Sequence, residues 1–276
     1  MARLGIQALL GLLLGVGCQQ KSGQSPRSSA ASALPVLQAP QEAARTTEDD
    51  REALLQIERA APWGDDLPRS LQPVYVEAGS ISVGKQMLNR GDSNWPRRAL
   101  DLLRRSPCAV VLSSDPDRYL ADLAPLLELL AAAGCEVWIR HPDAPVGFNV
   151  SLRDNAQFEH WLAEPVSGKI RVVQRADGFE LQTNIGKMAG SDSNGPTVPI
   201  RGGQLDIARL RRALEQLKEK FSKAPDSCLV PSYGTELASI ARALSGYYRG
   251  EGKRIFDELC LVYPKTGQPP PDAGRR

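Results

Sequence analysis

The sequence predicts an α+β fold of two tandem β-β-α-β-α-β units, each a mixed sheet carrying its helices on one face. Two observations predict it. The same succession of strand-like and helix-like segments runs through the chain twice, and each succession holds a pair of cysteines in its strand–helix–strand part. A third observation bounds the fold. Residues 19–50 are Gln, Ser, Ala and Pro with few large apolar side chains, so burial there cannot offset the entropy of ordering.

The first unit opens at residues 74–83, a hairpin-like run with Gly79 at its turn. A helix over 95–105 carries Leu100, Leu102 and Leu103. Residues 108–112, Cys-Ala-Val-Val-Leu, form a short β-branched run bounded by turn residues, hence a strand. Over 118–133, Leu120, Leu123, Leu126, Leu127 and Leu130 recur at steps of three and four, the spacing of one helix face. Gly134 ends that helix, and 135–139 is the next strand. Two strands joined through a helix run parallel. Cys108 and Cys135 each open a strand and so fall at the same end of the sheet.

The second unit repeats the order. Asp177-Gly178 sits between two alternating runs in residues 170–181, a strong hairpin signal. An insertion at 186–203, rich in Gly, Ser and Asp, reads as a loop. A helix over 207–221 carries Leu210, Leu214, Leu217 and Phe221, and a strand follows at 228–230. Thr235 and Glu236 start a helix with Leu237, Ile240, Ala241, Leu244 and Tyr248, and 256–263 is the closing strand, with Cys260 inside it. The predicted domains are 51–145 and 146–264, followed by a disordered tail at 265–276.

The N-terminus predicts export. Arg3 precedes an apolar run at 4–16, shorter than the roughly 20 residues a membrane-spanning helix needs. Gly17-Cys18 resembles the lipobox of bacterial lipoproteins, in which the cysteine receives a diacylglycerol and becomes the new N-terminus. Residues 1–18 are then signal peptide and lipidation site, and 19–50 a flexible tether. Leu14 stands four residues before Cys18, and Gly15 fills the place where the pattern usually has Leu. Gln19, where an Asp would favour inner-membrane retention, inclines the expected location to the outer membrane, on its periplasmic face. Without Cys18 four cysteines remain, an even number, as an oxidising compartment allows. Three pairings are open, and the repeat favours Cys108–Cys135 with Cys228–Cys260.

The hairpin with its turn glycine, the helix Arg97-Arg-Ala-Leu-Asp-Leu-Leu103, the strand ending Leu112-Ser-Ser-Asp115 and the helix closing in Ala131-Ala-Ala-Gly134 resemble the periplasmic domain of the ExbD/TolR family. The resemblance covers about residues 74–142 and again 170–264. It implies a periplasmic recognition module whose partners are TonB-like envelope proteins or peptidoglycan. No residue matches the family's proton-coupling transmembrane aspartate, so that role is not carried over.

Little else in the chain points to chemistry. Thirty-four basic side chains balance thirty-two acidic ones, interleaved, which argues against nucleic acid as partner. Gly79-Ser-Ile-Ser-Val-Gly-Lys85 fits seven places of a phosphate-binding loop, but Gln86 stands where Ser or Thr should hold Mg²⁺, and the segment reads as a hairpin. His141 and His160 lack metal-ligand neighbours, Ser113 and Ser114 lack an obvious base, and Asp115 and Asp117 read as a solvated helix start. The cysteines are not spaced Cys-x-x-Cys, as thioredoxin-like redox work requires. The expectation is a lipid-anchored, non-enzymatic recognition module without metal or cofactor, accessory to a TonB- or Tol-type machine. Its expected contact surfaces are the exposed sheet edges and the insertion at 186–203. A peptidoglycan-binding structural lipoprotein and an envelope hydrolase with an unmarked site are the competing readings.

Overall fold

The computed structural model describes residues 63–104, 108–164, 168–188, 190, 194–249 and 252–265. Cys18, the tether at 19–50 and the tail beyond Lys265 lie outside the described residues. All those described belong to a single compact unit of residues 49–276, a mixed α/β structure whose described residues form five helices and one large sheet.

After a two-residue strand, β1 (Asp65–Asp66), the first half runs through β2 (Gln72–Val76), β3 (Ser80–Val83), β4 (Gln86–Asn89), α1 (Trp95–Leu103), β5 (Ala109–Ser114), α2 (Leu120–Ala132) and β6 (Glu136–Arg140). Then come β7 (Val146–Arg153) and α3 (Asn155–Ala163). The second half continues with β8 (Ile170–Arg175), β9 (Gly178–Thr183), β10 (Gly186–Lys187), β11 (Val198–Pro199), α4 (Ile207–Lys220), β12 (Asp226–Pro231), α5 (Leu237–Ser245) and β13 (Glu258–Val262). The sheet order is β4-β3-β2-β5-β6-β7-β13-β12-β8-β9-β10. Around β7 the two halves therefore lie as β6-β5-β2-β3-β4 on one side and β13-β12-β8-β9-β10 on the other. Strands joined through helices pair parallel, β5 with β6 and β12 with β13, while β2–β3 and β8–β9 are antiparallel hairpins.

One core runs under both halves. Ala99, Leu100 and Leu103 of α1, the leucine face of α2, Leu210, Leu214 and Leu217 of α4, and Leu237, Ile240 and Leu244 of α5 meet Val110, Leu112, Val137, Ile139, Phe148, Leu229, Leu259 and Leu261 of the strands. Full burial of each such side chain contributes about 1.5–3 kcal/mol. The expectation that all helices share one face is corrected by α3. Phe158 and Trp161 of this helix pack on Cys228, Val230, Cys260 and Val262, which alternate along their strands with Leu229, Leu259 and Leu261. Successive strand residues point to opposite faces, so α3 lies across the sheet from the other four helices. The cause is in β12, buried at all six of its positions. A parallel strand of this kind needs cover on both sides.

The corners after β5 and β12 are bound to each other. Leu120 donates its N–H to the Thr235 carbonyl at 3.0 Å, and Leu237 donates to the Arg118 carbonyl at 2.8 Å. Each is the first residue of its helix and each acceptor lies two residues earlier, so the contact is reciprocal. Ahead of β2 a short strap crosses the sheet. Asp65 and Asp66 pair with Gly147 and Val146 of β7, Asp65 accepts from Tyr248 Oη at 2.9 Å and is ion-paired with Arg254, and the Arg211 guanidinium stacks 3.4 Å from the Trp63 ring centre. Gly147 is required here, because a Cβ would collide with Leu67 of the strap and crowd the Ile139 carbonyl.

Cys108 and Cys135 lie at disulfide distance, as do Cys228 and Cys260, with Cα separations of 4.8 and 4.3 Å. Their settings differ. Cys108 and Cys135 precede β5 and β6, half-buried against the main core. Cys228 and Cys260 face each other in the β12–β13 register, fully buried beneath α3. With the two corners superimposed, Leu120 on Leu237, Cys228 falls on Val111 and Cys260 on Trp138, the residue opposite Val111. The two bridges thus occupy different positions and opposite faces.

Candidate functional site

The two ends of the sheet are finished differently. At one end the outer side of β9 is covered along its length. β10 pairs with Gln182 and Thr183, β11 pairs with Gly178 and Phe179, and between them Thr197 Oγ1 accepts the Leu181 N–H at 3.1 Å and donates to the Met188 carbonyl at 3.0 Å. The insertion read as a loop contains both strands and acts as this cover. Gly178, with φ 139°, admits β11: a Cβ there would strike the Val198 carbonyl. Lys187 and Pro199 add charge and a missing N–H, two common defences of a sheet edge.

At the other end β4 has a neighbour, among the described residues, on its β3 side only. Gln-Met-Leu-Asn holds no charge and no proline. Leu88 anchors the strand in the core, and Met87 on the opposite face is 69% exposed. Arg90 donates its N–H to the Gly79 carbonyl at 2.9 Å, which sets the phase of the β3–β4 ladder: Gln86 and Leu88 bond inward, Met87 turns its N–H and C=O outward and Asn89 its N–H, while the Asn89 carbonyl accepts the Asp92 N–H at 3.2 Å. The segment from Lys85 to Arg104 has five cations against two carboxylates, and of the cations Arg90, Arg98 and Arg104 are ion-paired with Asp122, Asp92 and Asp101.

A cleft of about 560 Å³ opens where β4 ends. Its walls are Ala78 and Gly79 from the β2–β3 turn, Asn89 to Gly91, Trp95 at the start of α1, and Arg118, Ala121, Asp122 and Pro125 around the first turns of α2. Arg90 runs through the floor. Its Nη2 lies 2.9 Å from Asp122 Oδ1, its Nη1 reaches the Glu77 and Ala78 carbonyls at 3.5 Å, and its Nε is buried without a hydrogen-bond partner among the described residues. The second carboxylate oxygen of Asp122 accepts the Tyr119 N–H at 3.3 Å. The Arg118 side chain is half-buried, and its one hydrogen bond among the described residues runs from Nε to the Pro116 carbonyl at 3.4 Å.

The remaining candidates are committed elsewhere. Residues 79–85 are β3 with its flanking turns, a hairpin as expected. Ser113 and Ser114 close β5, in register with Tyr75 and Val76. Asp115 accepts from Tyr75 Oη at 2.6 Å, and that bond, with desolvation and the charges of Asp115 and Glu77, raises the phenol above its usual pKa. His141 follows β6, accepts the Asp143 N–H on Nδ1 at 3.1 Å and meets the edge of Phe148. Burial pulls its pKa below the ordinary value, with Arg242 adding to the effect and Asp143 opposing it. His160 is exposed on α3. No group of three His, Cys, Asp or Glu side chains among the described residues is placed to hold a metal, and no described helix is long and apolar enough to cross a membrane. The chain matches no protein-family model, no curated protein and no solved structure.

Proposed function

We propose that the chain is a lipid-anchored, non-enzymatic recognition module of the cell envelope, tethered through Cys18 and accessory to a TonB- or Tol-type machine. Its body is read as two tandem β-β-α-β-α-β units like the periplasmic domain of the ExbD/TolR family. The mirrored strand order about β7 and the reciprocal corner contact support the tandem reading. The observation that carries the function is the contrast between the covered β9 edge and the open β4 edge. An uncharged outer strand with backbone groups turned outward accepts an extended segment of a partner.

The test is site-specific photo-crosslinking in the native envelope. A photoreactive residue at Met87 should capture an envelope protein, and the same residue at Ile185, exposed at the covered end, should not. In a second arm, Met87→Pro on a chain crosslinking from Ser82 should abolish capture, because the substitution removes an outward N–H and no ladder bond. Equal capture from both ends, or capture indifferent to the proline, rejects the edge. The anchor is tested separately. The intact mass of membrane-extracted protein should fit a chain beginning at acylated Cys18, and a mass retaining residues 1–17 rejects it.

A further inference from the structure

We propose that the cleft at the end of β4 binds the carboxy-terminal end of a peptide, with Arg118 holding the carboxylate and the Ala121 carbonyl receiving the N–H of the terminal residue. Two groups three residues apart in the chain, one just before α2 and one in its first turn, define this chemistry. The first is a cation: Arg118 has both η nitrogens uncommitted among the described residues, and a guanidinium grips a carboxylate through two parallel hydrogen bonds. The second is an acceptor. In α2 the Ala121 carbonyl would bond the N–H four residues on, but that residue is Pro125, which has none. Ala121 is exposed and lines the cleft. A terminal peptide residue presents the complement of this pair, a carboxylate and an amide N–H on one α-carbon.

Asp122 does not oppose an anion here, since Arg90 neutralises one of its oxygens and the Tyr119 N–H occupies the other. Pro125 and Trp95 give the cleft an apolar wall, and its volume lies within the roughly 300–1,000 Å³ of small-ligand sites. These features are not general to the fold. At the matching positions after β12, Thr235 stands for Arg118, Ser239 for Asp122 and Arg242 for Pro125. The inference goes beyond the edge and the anchor and stands without either.

The experiment is an NMR titration of the ¹⁵N-labelled protein with N-acetyl-alanyl-alanine and, separately, with its C-terminal amide. The acid should give saturable shifts at Ala78–Gly79, Asn89–Gly91 and Arg118–Asp122, and the amide should bind at least about tenfold more weakly, the loss of a charge-assisted hydrogen bond. Arg118→Gln should weaken the acid by about tenfold or more. Pro125→Ala returns the missing N–H to the Ala121 carbonyl; it should weaken the acid about fivefold while the helix remains folded. Absence of saturable shifts, equal binding of acid and amide, or wild-type affinity in both variants overturns the proposal. Affinity lost with Met87→Pro and retained in both cleft variants also overturns it, by moving binding to the edge.

Discussion

The two halves share a strand order but secure their parallel strand pairs in different ways. In the first, Cys108 and Cys135 clip β5 and β6 at their starts, half-exposed on the helix-covered side. In the second, Cys228 and Cys260 bridge β12 and β13 in mid-strand on the opposite side, and α3 seals them in. Trp161 holds that seal: its Nε1 donates to Asp226 Oδ2 at 2.7 Å, and Lys169 and Arg153 lie 4.6 and 5.1 Å from its ring. The difference teaches that a mirrored strand order does not dictate the means of its stabilisation. A pair of parallel strands can be secured at its rim, or at its centre if a further element covers it.

The largest break in this comparison is Trp161→Ala. It empties a buried indole and removes one of the donors to Asp226, leaving Arg153 Nη2 at 3.3 Å, a loss of about 3–5 kcal/mol in urea unfolding. It should also render the Cys228–Cys260 pair reducible by a mild thiol, read by alkylation and mass. Next come the bridges. Their sequence separations, 27 and 32 residues, differ so little that loop entropy separates them by only about 0.2 kcal/mol. Cys135→Ser should cost about 2–4 kcal/mol. The double Cys228→Ala, Cys260→Ala variant should cost more, because it also hollows the core under α3; an equal cost would show that the buried setting contributes nothing. In the wild-type protein the Cys108–Cys135 pair should reduce first.

A smaller effect is expected at the edge. Gly178→Ala forces a side chain to φ 139° against the Val198 carbonyl and should cost about 1–3 kcal/mol. Hydrogen exchange should rise at Val198 and along β9 while β2–β4 keep their protection. Least of all is the pH effect of His141. Its pKa is lower folded than unfolded, so its contribution is present above 6.5, the ordinary value, and is lost as pH falls through the folded value. In His141→Asn the melting temperature should decline less between neutral and mildly acidic pH, and an unchanged slope would refute the assignment.

Much of this molecule is legible in its sequence. The leucine spacing of α2, the Asp177-Gly178 turn and the strand–helix–strand order led to the right helices and hairpin, and that order also led to the cysteine partners now found at disulfide distance. The face on which each bridge lies was not legible, because a shift of one residue in register reverses it. β7 signals itself weakly: Val146, Phe148, Val150 and Leu152 alternate, but Gly147 and Asn149 between them are poor strand formers, and the need for Gly147 arises from Leu67, eighty residues earlier. β4 lacks the β-branched residues that mark a strand. The cleft left no motif, because Arg90, Arg118 and Pro125 come from separate segments and the useful acceptor is a carbonyl freed by a proline.

The strap ahead of β2 has a mechanical consequence. Tension arriving through the chain before Trp63 enters the body at β1, whose two residues pair with β7, the strand where the halves join. Load is thus delivered to the seam and to neither rim. It acts first on the Asp65 contacts with Arg254 and Tyr248 and on the stacking of Trp63 with Arg211, all of which reach into the second half. The strap stands in series with the fold, and its few contacts lie between such a load and the longer strands.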